Sequence, residues 1–154
     1  MPERDNSSDL VFSVHTAMRG LAHRTLLYSH AAAGRLGLHP TDLTCLDLLL
    51  SRGPMTPGQL AAETGLTPGA ITAAVDRLER KGHAKRERDP HDRRRVLVVA
   101  QNRENQTAPV FEAMIAAASR LCAGYSDRDL RLIIRFAEQA GAMLHQQALE
   151  LGRQ

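Results

Sequence analysis

Residues 55–82 read MTPGQLAAETGLTPGAITAAVDRLERKG, and the way this stretch starts and stops helices decides the fold. Thr56 stands as an N-cap, Pro57 takes the first helical position, and Gln59 follows three residues after the cap, the spacing of a capping box. A short helix then runs to Thr64. Gly65 supplies a left-handed turn residue and Leu66 an apolar plug, after which Thr67 and Pro68 repeat the same start. The second helix ends at Gly82, preceded by Arg80 and Lys81, whose charges complement the helix dipole. Two short helices separated by a glycine-containing turn are the helix-turn-helix pattern.

Within the second helix, Ile71, Val75 and Leu78 fall on one face at i, i+4 and i+7, which predicts that this face is buried. Thr67, Thr72, Ala73, Asp76 and Arg77 are left toward the other side. Beyond Gly82, HAKRER and RRVLVVA form two strands joined by the DPHDR turn, since Asp-Pro initiates turns and VLVV favours strand. The wing-like hairpin spans His83 to Ala100 and holds five arginines between Arg86 and Arg95. From Asp76 to Arg95 the local net charge is +4, although the whole chain carries only +3. Positive charge segregated in this way marks a polyanion footprint.

The flanks are helical. Leu10 to Leu36 shows apolar residues at helical intervals, and a second helix from Thr41-Asp42 runs through Leu50 until Arg52-Gly53-Pro54 stops it. A further helix is expected from about Asn102 to Cys122, and Ser126 opens a last one carrying Leu130, Ile133, Ile134, Leu144 and Leu151. These outer helices are apolar on more surface than a winged helix of roughly 60 residues can cover, which implies a helical dimerisation layer. The fold class is therefore mainly α: a winged helix-turn-helix over 40–101 with a two-stranded β wing, flanked by N- and C-terminal dimerisation helices over 1–36 and 102–154. An intramolecular bundle is the alternative use of the same faces.

Composition narrows the function classes. With 154 residues and 43% hydrophobic composition the chain builds one core, and with 3% aromatics that core is aliphatic. No run reaches the ~18 apolar residues of a membrane helix, and the polar start does not read as a secretory signal, so a cytoplasmic protein with no membrane partner is expected. Cys45 and Cys122 show no metal or disulfide spacing and read as small buried residues, with a redox sensor as the alternative. The phosphate-loop, nucleophile-elbow and zinc-protease motifs are missing, so an enzyme is not expected, nor a cofactor or metal. His15, His23 and His30 share one side of the first helix but spread over about 22 Å, too far for one ion.

The run LTPGAITAAVDRLERKGHAKRERDPHDRR, Leu66 to Arg94, with a helical segment on each side, resembles the MarR family of bacterial transcription regulators over nearly the whole chain. The resemblance implies a homodimer with a winged helix in each protomer, and repression or activation relieved by a small ligand or by oxidation. Asp92 and Arg94 match the family's D-x-R wing, whereas Ala100 and Gln101 stand in place of its usual Leu-Thr. That departure falls at the join between the second strand and the helix that follows.

On this reading double-stranded DNA, as a pseudo-palindromic operator, meets Thr67, Pro68, Gly69, Thr72, Ala73, Asp76 and Arg77 of the recognition helix and Arg86, Arg88, Asp92, Arg93 and Arg94 of the wing. Arg94 is expected in the minor groove with Asp92 bracing the turn, and Thr67 and Arg77 on phosphate. Because the wing arginines alternate along a hairpin, some must point away from DNA. Pro68 and Ala73 stand where relatives often place arginine, so base readout rests on methyl contacts of Thr72 and Ala73 and on hydrogen bonds donated by Thr67 or Thr72. By analogy with the family, a small-molecule effector pocket is expected near His23, Tyr28 and Cys45. The competing reading is an architectural or protein-interaction winged helix with little sequence preference.

Overall fold

Both Thr-Pro starts build the helices their spacing predicts. Thr56 Oγ1 accepts the Gln59 N–H at 3.1 Å while Gln59 Oε1 accepts the Thr56 N–H at 2.8 Å, which closes the capping box. Thr67 Oγ1 likewise accepts the Ala70 N–H at 3.2 Å. The two helices end on Gly65 and Gly82, at φ 69° and 72°, a left-handed conformation that costs a glycine nothing.

The computed structural model describes residues 6–101 and 108–152. In chain order its elements are α1 (Asn6–Leu36), α2 (Pro40–Arg52), α3 (Pro57–Thr64), α4 (Pro68–Lys81), β1 (Ala84–Arg88), β2 (Val96–Ala100), α5 (Ala108–Cys122) and α6 (Asp127–Leu151). The architecture is the mainly helical winged helix-turn-helix read from the sequence. The strands start one and two residues later than HAKRER and RRVLVVA suggested, and two helix starts differ from expectation. Helix α1 begins at Asn6 rather than Leu10, with Asp9 in its first turn where negative charge is favourable. Helix α2 begins at Pro40, capped by His39, whose Nδ1 accepts the Thr41 N–H at 3.2 Å. The expected start of α5 near Asn102 and the altered join after Gln101 fall at 102–107, outside the described residues.

The core lies where α2, α3, α4 and the hairpin meet. Ile71, Val75 and Leu78 are all fully buried, as their spacing predicted, and they meet Leu46 of α2, Leu60 of α3 and Val98 of β2. Each such side chain contributes on the order of 1.5–3 kcal/mol through removal from water. The hairpin is antiparallel, with Arg86 opposite Val98 and Arg88 opposite Val96. Met55 joins it through a bridge to Val98, donating at 3.1 Å and accepting at 2.7 Å, so the residue just before α3 is tied to the wing.

The outer helices behave differently. Helix α6 contains no buried residue, and Leu132, Ile134 and Leu144 are each more than half exposed. On α1, Leu21 and Leu27 are exposed to 68% and 71%. Between them runs an apolar cavity of about 610 Å3, lined by Met18, Leu21, Leu26, Ile133, Phe136 and Leu144 among others. No helix among the described residues is long and apolar enough to cross a membrane.

Candidate nucleic-acid interface

Helix α4 is held at four points, and what remains exposed is its outer face. The first point is the core stripe of Ile71, Ala74, Val75 and Leu78. The second is Arg77, which the linear pattern placed on phosphate. It turns inward to Asp42 of α2, with Nη2 2.6 Å from Oδ1 and Nε 2.9 Å from Oδ2. The physical reason is that Asp42 is only 1% exposed, and a carboxylate removed from water must be paired. The bond to Asp42 in turn holds the Arg77 guanidinium above its ordinary pKa.

Arg86 forms the third point. Its Nη2 lies 2.8 Å from Asp76 Oδ1, its Nη1 pairs with Glu79, and its backbone N–H donates to Glu79 Oε1 at 2.7 Å. Arg86, expected among the DNA contacts, therefore fastens β1 to α4 and occupies Asp76, a second expected contact. Burial works against its charge, but the hydrogen bond to Asp76 and the charge of Glu79 prevail and raise its pKa. The fourth point is Lys81, whose Nζ donates to the Gly37 carbonyl between α1 and α2.

With these anchors made, Thr67, Pro68, Gly69, Thr72, Ala73 and Asp76 form the exposed face of α4, which Arg80 continues into the last turn. Thr72 Oγ1 donates to the Pro68 carbonyl at 3.0 Å, which spends the hydroxyl proton expected for a base. The wing tip is braced internally. Asp89 Oδ1 accepts the His91 N–H at 2.8 Å, Asp92 Oδ1 accepts the Arg94 N–H at 3.0 Å, and the Asp92 carbonyl accepts the Arg95 N–H at 2.9 Å. Arg88, Arg93 and Arg94 are exposed, and among the described residues none of them forms an ion pair. Arg93 and Arg94 stand on the braced turn and Arg88 at the end of β1.

Three residues that shape this surface were not foreseen. Asp42 had a signal, an acid inside the apolar series Leu43, Cys45, Leu46 and Leu49, because an unpaired charge is almost never placed there. Glu79 and Met55 had none, since their partners are set by how the hairpin folds onto α3 and α4.

The expected effector pocket is reorganised. A cavity of about 320 Å3 between α1, α2 and α5 is lined by Thr25, Tyr28, Ser29, Thr44, Asp47 and Phe111 among others. Tyr28 is there, with its hydroxyl donating to the Val110 carbonyl at 3.3 Å. His23 and Cys45 are not. His23 projects from an exposed position on another side of α1, and Cys45 faces the core, where burial, and next Asp42, push its thiol up to about 11. Cys122, read as buried, is exposed at the end of α5. Burial also raises the Asp47 carboxyl. Among the described residues no three His, Cys, Asp or Glu side chains form a metal-binding group.

A capped helix pair, a recognition helix with a free outer face and a rigid basic hairpin define a winged helix-turn-helix DNA-binding protein. Residues 36–95 match the MarR family. The chain is 39% identical over 148 residues, covering 96% of both proteins, to the HTH-type transcriptional regulator YcgE of Bacillus subtilis. It is 31% identical to the regulator YkoM of the same organism over 73% of each chain. In fold it is similar to a MarR family protein from Bacillus stearothermophilus, with a TM-score of 0.65 at 24% identity, covering 96% of this chain and 97% of that one. It is also similar to CouR from Rhodococcus jostii bound to p-coumaroyl-CoA, with a TM-score of 0.65 at 23% identity over 83% and 91% of the two chains. The chain belongs to the MarR family of DNA-binding transcriptional regulators.

Proposed function

We propose that the protein acts as a homodimer on a pseudo-palindromic operator, as a cytoplasmic repressor released by a small ligand and without enzymatic activity. The observation that carries the dimer is the unburied apolar surface of α1 and α6, which a second copy would remove from water. Two copies of α4 related by a dyad would enter the major groove about one helical turn apart, with Arg94 of each wing at the minor groove. Thr67 and Arg93 would position on phosphate, and Arg88 would add charge beside them. The α1–α2–α5 cavity around Tyr28 is the place for an effector, since it touches both the dimer layer and α2, which holds α4 through Asp42. CouR, with its bound p-coumaroyl-CoA, supports a ligand-responsive reading.

The architectural reading keeps one observation in its favour: the first two turns of the exposed face of α4 have no guanidinium or amide for bidentate base contacts, Arg80 standing in the last turn. Fluorescence anisotropy against the protein's own upstream DNA and a scrambled duplex, each at two salt concentrations, separates the two. A regulator prefers one duplex by ~10³-fold or more, whereas an architectural binder shows steep salt dependence with no preference. Light scattering on the same sample reads the oligomeric state.

A further inference from the structure

Several polar atoms on the outer face of α4 are already engaged. Thr67 Oγ1 caps the Ala70 N–H, the Thr72 hydroxyl proton is given to the Pro68 carbonyl, and Asp76 Oδ1 is held by Arg86. Beside the remaining Thr67 proton and the Thr72 lone pairs, what the first two turns offer a base edge is apolar: the Thr72 Cγ2 methyl and the Ala73 Cβ. Gly69 lies three and four residues before them, hence beside both on the helix surface. A Cβ at Gly69 would meet nothing within 4 Å, so the surface on that side of Thr72 and Ala73 is open, with no side chain crowding it. The result is an uncrowded apolar patch on the exposed face of α4.

In the major groove, the group that packs against such a patch is the C5-methyl of thymine, which separates T·A from the other base pairs without any hydrogen bond. Resting on the DNA-facing assignment of α4 made above, we infer that Thr72 and Ala73 select sequence by packing against a thymine methyl, with Gly69 leaving room for it. Specificity then comes from T·A pairs at fixed positions of each half-site, with the arginines of the wing supplying affinity. A 5-methylcytosine presents the same methyl group from a G·C pair and shares the chemistry.

The test begins with duplexes that the protein enriches from a random pool. The enriched duplex is then prepared with thymine or with uracil at the conserved T·A positions. Binding is read by anisotropy at constant salt. Burial of one methyl group corresponds to roughly fourfold in affinity, so a palindrome with one contact in each half should lose about tenfold or more with uracil. Cytosine at the same position should bind weakly, and 5-methylcytosine should regain part of the loss. In Thr72→Ser, which removes the methyl but keeps the hydroxyl, the penalty for uracil should shrink.

Equal affinity for the thymine and uracil duplexes, with specific binding intact, would overturn the inference alone. An undiminished uracil penalty in Thr72→Ser would overturn the assignment to this residue. A pool that yields no enriched sequence would overturn the regulator reading as well, which keeps the two failures apart.

Discussion

Asp42 on α2 and Arg77 on α4 form a bidentate pair at 2.6 and 2.9 Å, with the carboxylate 1% exposed and the guanidinium at the rim of the core. The pair ties α4 to α2, which lines the cavity around Tyr28. Removing one partner strands the other. Arg77→Met should therefore cost about 2–3 kcal/mol in urea unfolding, less than the ~3–5 kcal/mol of a fully buried pair because Arg77 is partly exposed. Adding Asp42→Asn should recover part of that loss, since a buried amide costs less than a buried charge. Additive losses in the double variant would contradict the coupling.

Two arginines of the hairpin should separate cleanly. Arg94→Ala should leave thermal stability unchanged, weaken all duplexes and reduce the salt slope by about one for each phosphate that Arg94 neutralises. Arg86→Ala should instead lower the melting temperature by a few degrees, because β1 loses its hold on Asp76 and Glu79, and DNA binding should fall with it. Melting curves beside anisotropy titrations would show whether the two losses have different origins.

The proposed dimer should be open to disruption from α6. Ile133 and Phe136 are 45% and 44% exposed in one protomer and line the apolar groove against α1. Ile133→Asp should shift the protein from dimer to monomer in light scattering while the winged helix keeps its helical circular dichroism. Operator affinity should then drop by at least ~10²-fold, because linked half-sites gain from effective concentration. A dimer of unchanged stability would show that α6 faces something other than a second copy.

Cys45 should be silent where an ordinary thiol reacts. Its pKa of about 11, against an ordinary 9.0, favours the neutral thiol in the folded state. The unfolded chain therefore ionises first as pH rises, and the stability this thiol contributes is present below pH 9 and lost between 9 and 11. Cys45→Ala should remove that alkaline component of the pH–stability profile. Thiol titration of the native protein at pH 8 should reveal at most one group, with the second released only by denaturant.

The turn between α3 and α4 supplies a test free of side-chain contacts. At Gly65, φ is 69° and an added Cβ would meet nothing within 4 Å, so Gly65→Ala is penalised only by the left-handed backbone. The expected loss is about 1–2 kcal/mol, and Gly65→Asn should recover a good part of it because asparagine tolerates this conformation.

Local chemistry carried most of the fold in plain view. Thr-Pro starts, capping glycines and a period-3.6 stripe depend on neighbours a few residues apart, so α3, α4 and the hairpin could be placed from residues 55–100 alone. The exposed faces of α4 and the wing were legible for the same reason: the buried face is set by periodicity, and the rest must face out.

The linear pattern did not determine which exposed charges stay available. Arg77, Arg86 and Arg94 are chemically identical along the chain, but only the folded positions of Asp42, Asp76 and Glu79 decide that two of them anchor helix and strand while the third projects. Cys45 and Tyr28 were likewise separated only by packing, one into the core and the other onto a cavity wall. Periodicity specifies which side of an element a residue occupies. Pairing across 35 residues, as between Asp42 and Arg77, depends on how whole elements pack, and that distance and orientation exist only in the tertiary structure.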